Sequence, residues 1–283
     1  CSLILKHVML YRFRSKKVNL TIQKILGVLI FMDFKTTSKY GSFFVLVCVF
    51  FVAGYGFLDT WWQFFPSTFL MLGISYLFFP KKWKTYLGIS VTLKEYVFAF
   101  VLCLFSFAVF HILIKTSLPN EYTIGWNKHW GYFSFVNNLF QSLNEELLFR
   151  ALFLNFLLYL GIKEWKVIII PSVIFSFLHW LMYAYNLMPE SRGVLDYSAL
   201  CTLLLFGLIT GMLFLKKRNI LLPWALHAAW NFNRFSLGVI RIDSPEERLP
   251  EYISFNLLEG SDLICFLAAF LTIMTWVWYR KKD

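Results

Sequence analysis

Apolar residues fall along this chain in long unbroken runs, with neither the alternation of a half-exposed sheet nor the single stripe of a soluble helix. The runs 42–58, 62–79, 97–114, 132–160, 166–185, 198–215, 220–240 and 262–279 each predict one element. About 20 residues of helix cross a hydrocarbon core, and tilt absorbs the differences in length. In lipid every backbone N–H and C=O needs a partner within the protein, so these elements are expected to be helices. Alternating segments of the transmembrane barrel kind are not seen. The pattern therefore predicts an all-α, polytopic transmembrane helical bundle of about eight spans.

A further apolar stretch, 18–34, is partly amphipathic and follows the basic residues Lys6, Arg12, Arg14, Lys16 and Lys17. As a span it would carry that basic arm to the outer side. It is read instead as an interfacial helix. Residues 1–40 are thus expected to form a basic N-terminal arm, and residues 41–283 a membrane-embedded domain.

Composition sharpens this picture. Only 15% of the 283 residues are charged, against roughly 25% in soluble domains. The net charge of +11 sits in alternate loops: Lys35 and Lys39; Lys81, Lys82 and Lys84; Lys163 and Lys166; Lys216, Lys217 and Arg218; Arg280, Lys281 and Lys282. The loops between them are mixed or acidic, as at Asp243, Glu246, Glu247 and Glu251. That alternation predicts both termini on the cytoplasmic side, in the cell membrane if the source is bacterial. It also accounts for the charge without nucleic acid as a partner. The lipid bilayer is the partner that the composition implies. Five cysteines lie far apart with no CxxC pair, so neither a disulfide framework nor a thiolate metal site is expected.

Against this apolar background one heptapeptide stands out: Asn144-Glu145-Glu146-Leu147-Leu148-Phe149-Arg150. A charge at bilayer depth costs roughly 2.5–3.5 kcal/mol even on insertion scales, so three in six residues mark a functional site. On a helix, Glu146 and Arg150 share a face and can pair. Glu145 is rotated about 100° from Glu146, with no partner expected within helical reach. Two polar rows, Asn137–Gln141–Glu145 and Asn138–Ser142–Glu146, predict that this side of the helix faces polar groups and not lipid.

Other spans supply Phe175 and His179, four apart, and His227 and Asn231, also four apart on one face. Ala228 and Ala229 would let a neighbouring helix come close there. At 1.5 Å per residue, Glu145 lies about 20 Å from the outer end of its helix and His179 about 20 Å from the cytoplasmic end of its own. His227 and Asn231 lie about 10–17 Å deep. In a core of about 30 Å all four reach one level. His111 has no motif around it and is read as an interfacial or packing histidine. Glu95 and Asp59 sit at span edges and are read as solvated.

Glu145-Glu146 with Arg150 has the form EExxxR, Phe175 with His179 the form FxxxH, and His227 with Asn231 the form HxxxN. In this order, over a motif-bearing core of about 95–240, the chain resembles the CPBP family of intramembrane proteases. That group comprises the CAAX prenyl proteases and the bacteriocin-processing Abi proteins. The resemblance implies an endopeptidase acting on a membrane protein or peptide, at a CAAX tail or at a leader or C-terminal junction. It implies that Glu145 activates a water, that His179 helps hold it, and that His227 and Asn231 stabilise the oxyanion. Glu146, Arg150 and Phe175 would orient the site.

Two versions stay open. One is metal-free. In the other, Glu145, His179 and His227 hold zinc, as two histidines and a carboxylate do in catalytic zinc sites. The lack of an HExxH motif favours the first. Rival functions are a proton- or ion-coupled transporter, disfavoured by the lack of an internal repeat, and a catalytically silent membrane scaffold or immunity protein. Oligomeric state is not legible.

Overall fold

A computed structural model describes residue 41 and residues 64–125, 131–184, 195–233, 239–243, 253, 256–257 and 259–281. The expected arm over 1–40 and the expected span 42–58 lie outside these residues, Gly41 aside. All the elements below belong to one compact unit, Phe43–Asp283.

The described chain is mostly helical. In order run α1 (Phe64–Phe78), α2 (Trp83–Leu87), α3 (Leu93–Ser117), β1 (Tyr122–Ile124) and α4 (Gly131–Glu146). The last continues without a break through a π-helical segment, Leu147–Phe153, into α5 (Leu154–Tyr159). Then follow α6 (Glu164–Ala184), α7 (Tyr197–Lys217), α8 (Leu221–Asn231), β2 (Val239–Arg241) and α9 (Asp262–Arg280). Among the described residues, α3, α6, α7 and α9 are long and apolar enough to cross a membrane.

Local chemistry fixes several ends. Thr92 and Glu95 form a capping box at the start of α3, each side chain taking the other's backbone N–H. Gly88 closes α2 at φ 70°, and its carbonyl accepts the Ile220 N–H at 2.9 Å. A Cβ at Gly88 would lie 2.8 Å from the Phe214 ring and 3.0 Å from that same nitrogen, so only glycine lets the two segments meet.

Two expectations need correction. The run 220–240 is not one span, because α8 ends at Asn231 and the chain returns as β2. Asn233 gives its side-chain amide to the carbonyls of Ala229 and Phe107, both at 3.1 Å. The fold is also not wholly α. β2 pairs antiparallel with β1, Thr123 opposite Ile240 and Ile124 opposite Val239. Arg241 aside, both strands are built of β-branched and aromatic residues that suit a half-buried ladder. The pair packs on a small core of Ile114 and Val239 with Trp230 and Leu257 alongside.

The main core lies where α6 and α7 cross α5 and the π segment, with Leu147, Ala151, Leu152, Phe175, Met212 and Phe214 buried together. The crossing of α6 and α7 is close because α7 carries Gly207 and Gly211. A Cβ at Gly207 would lie 2.9 Å from Ser172 Cβ, and one at Gly211 would lie 3.3 Å from Ile168. Without a hydrophobic drive between helices in lipid, such small-residue contacts supply the packing. Ala228 and Ala229 of α8 are likewise buried. Gly207→Leu is expected to cost about 1–3 kcal/mol of stability. It should appear as a lower melting temperature in detergent, while Gly73→Leu, where a Cβ meets nothing within 4 Å, leaves the melting temperature unchanged.

Candidate active site

The site begins on α4. Its polar rows are buried where they approach the π segment. Ser142, Asn144 and Glu146 are sealed from solvent, and Glu145 is 5% exposed. Asn144 is tied to α1, accepting from the Thr68 hydroxyl and donating to the Ser67 hydroxyl. Trp224 of α8 donates its indole N–H to the Leu139 carbonyl at 2.9 Å, which ties α8 to α4.

Glu146 and Arg150 pair as expected, Oε2 to Nε at 3.1 Å, both wholly buried. The pair is larger than the sequence suggested. Arg150 Nε also donates to Thr210 Oγ1 of α7 at 2.9 Å. Its guanidinium carbon sits 4.7 Å from the centre of the Phe175 ring. Among the described residues its Nη atoms make no hydrogen bond, and the ring face of Phe175 covers the cation instead. Thr210 was missed because nothing in the sequence separates it from an ordinary small residue of a helix crossing.

The second oxygen of Glu146 reaches His227, Oε1 to Nδ1 at 2.8 Å. On the other edge of the same ring, Nε2 lies 3.6 Å from Glu145 Oε2. One imidazole is thus held between two consecutive carboxylates. Glu145 reaches the same ring despite its rotation of about 100° from Glu146, because the two ring nitrogens face opposite ways and span the angle between the carboxylates. It does not lack a neighbour in helical reach. Gln141, one turn earlier, donates to Glu145 Oε1 at 3.3 Å. The His227 ring is also boxed edge-on by Phe206 and Phe175, with centroids 5.2 and 6.1 Å away.

His179 sets its Nδ1 2.9 Å from the Phe175 carbonyl of its own helix. With Nδ1–H donating there, the neutral ring presents Nε2 as an acceptor. Its ring packs tilted against Phe175 at 4.5 Å between centroids, so Phe175 touches both imidazoles and the guanidinium. Asn231 is buried one turn beyond His227, at the end of α8. His111 packs as expected of it, Nδ1 3.3 Å from Asn233 Oδ1. Among the described residues no three His, Cys, Asp or Glu side chains are gathered so as to hold a metal ion.

Residues 127–233 match the family model Type II CAAX prenyl endopeptidase Rce1-like. The matched stretch contains the EExxxR, FxxxH and HxxxN residues, and the match bears out the resemblance read from those motifs. No curated protein and no solved structure matches the chain.

Removing one partner of a buried ion pair leaves the other charge uncompensated, at a cost of about 3–5 kcal/mol. Arg150→Ala is therefore expected to lower both the yield in membrane fractions and the melting temperature. Thr210→Val should do the same more mildly, by about 1–3 kcal/mol, for the loss of one acceptor.

Proposed function

We propose that this chain, with its Rce1-like stretch over residues 127–233, is an intramembrane endopeptidase of glutamate type. Its substrate is the tail or leader junction of a membrane-associated protein or peptide, of CAAX type or similar. The observation that carries the reading is the single imidazole of His227 clasped by the carboxylates of Glu145 and Glu146.

A water seated against Glu145 and the Nε2 of His179 gives one proton to the carboxylate as its oxygen attacks the scissile carbonyl carbon. The carbonyl π electrons move onto the oxygen. The Asn231 amide donates to that oxyanion, and the His227 ring, held at Nδ1 by Glu146, faces it with Nε2. The proton held by Glu145 then passes to the departing amide nitrogen. The C–N bond breaks, leaving a carboxylic acid and an amine. Glu146, balanced by Arg150, holds the His227 ring in register and takes no part in the proton transfer. Phe206 and Phe175 exclude bulk water, so each donor acts in a medium of low dielectric. These steps use carboxylate, imidazole and amide alone.

Glu145→Gln is expected to reduce cleavage by about 10²–10⁴-fold, with the melting temperature unchanged. The check is precursor length, measured by mass spectrometry of membrane fractions, in wild type and variant. Equal processing in both would sink the proposal. Asn231→Ala should lower kcat by about 10²–10³-fold and leave KM nearly constant. Addition of a chelator should leave the rate within about two-fold of its starting value, since no step is assigned to a bound cation.

A further inference from the structure

The structure gathers the ends of several helices on one rim. The Gly88 carbonyl after α2 takes the Ile220 N–H before α8. Arg218, after α7, donates to Asn155 of α5 at 2.9 Å. Tyr279 of α9 donates its hydroxyl to Glu164 at the start of α6, also at 2.9 Å. The segments meeting there are basic. Among the described residues the rim's carboxylates, Glu164 and Glu95, are engaged by Tyr279 and by the α3 cap.

Basic charge is densest where α7 and α9 end together. Lys216 and Lys217 place their ammonium groups 5.8 and 5.6 Å from the centre of one ring, that of Trp278. Arg280 lies 5.7 Å from the ring of Trp276. Lys216 Nζ donates to the Lys281 carbonyl, which joins the two helix ends. Three cations and two indoles thus crown the joined ends of α7 and α9. Indoles at a span end sit at headgroup level.

What lies against this area follows from α9. Phe266, Phe270, Ile273 and Val277 are exposed along it, and little of the helix is buried in the protein. Its outward neighbours in a bilayer are acyl chains, and the headgroups of those lipids reach the level of Trp276 and Arg280. Basic pockets between spans at that level suit anionic headgroups. We infer that the joined ends of α7 and α9 bind an anionic phospholipid, its phosphate among Lys216, Lys217 and Arg280 and its acyl chains along α9. This stands apart from the proteolytic site and does not depend on it.

The test is native mass spectrometry of the full chain in detergent. It is titrated with phosphatidylglycerol or with phosphatidylcholine of the same acyl chains. Wild type is expected to retain phosphatidylglycerol at an about ten-fold lower lipid concentration. Near an anionic surface each basic residue contributes about five-fold. Lys216→Gln with Lys217→Gln and Arg280→Gln should therefore raise the concentration required by ten-fold or more. Lys81→Gln with Lys82→Gln and Lys84→Gln, an equal charge loss elsewhere on the rim, should change it less than two-fold. Equal retention of the two lipids by wild type would overturn the inference whether or not the variants fold. So would an equal loss in both triple variants, which would make the preference a matter of net charge alone.

Discussion

A charged side chain sealed from water has to be balanced where it stands, and this one demand organises the site. Glu146 cannot be sealed from solvent unless Arg150 is beside it. Arg150 cannot be sealed unless Thr210 takes its Nε–H and Phe175 covers its face. The other oxygen of Glu146 is completed by His227. Four helical elements are therefore committed to one another by a single buried ion pair. A buried pair of this kind adds little net stability over a hydrophobic substitute. Its effect is to fix orientation, because each member has few other places to go.

The same economy of polar contacts holds the surrounding helices. Ser67 and Thr68 anchor α1 to Asn144, the neighbour of Glu145. Trp224 joins α8 to α4. Asn233, with His111, joins the end of α8 to α3. A buried carboxylate outside the matched stretch, Glu259, accepts from the Trp230 indole at 2.9 Å and so holds α8 from its other side. Lipid offers little drive for one apolar helix to adhere to another, so these ties and the glycines of α7 define the arrangement.

Much of this was legible in the residues, and the boundary of legibility is physical. The runs 97–114, 166–185, 198–215 and 262–279 reappear as α3, α6, α7 and α9 with ends displaced by a few residues, because hydrocarbon thickness dictates both the run and the helix. The run 220–240 misled because hydropathy measures transfer and says nothing of where a backbone can turn. Asn233 spends its side-chain amide on the carbonyls of Phe107 and Ala229, which ties the end of α8 to α3. The Glu146–Arg150 pair follows from helical spacing alone. The sharing of His227 does not, since it depends on how α8 approaches α4. Thr210 and Phe206 were out of reach for the same reason: both come from another helix, and neither is an unusual residue in an apolar span.

The seven-residue π-helical stretch Leu147–Phe153 falls directly after the two glutamates. Such a stretch acts as one residue inserted into an α-helix, and one residue is about 100° of rotation. The two halves of this long rod are thereby out of phase. Before the insertion, the rod answers to the His227 imidazole. After it, Asn155 answers to Tyr86 and Arg218 on the basic rim. A uniform helix would have to choose one angular setting for both audiences. The inserted residue works as a coupling between two gears of different pitch, so the contacts of each half can be tuned by substitution without turning the other out of alignment.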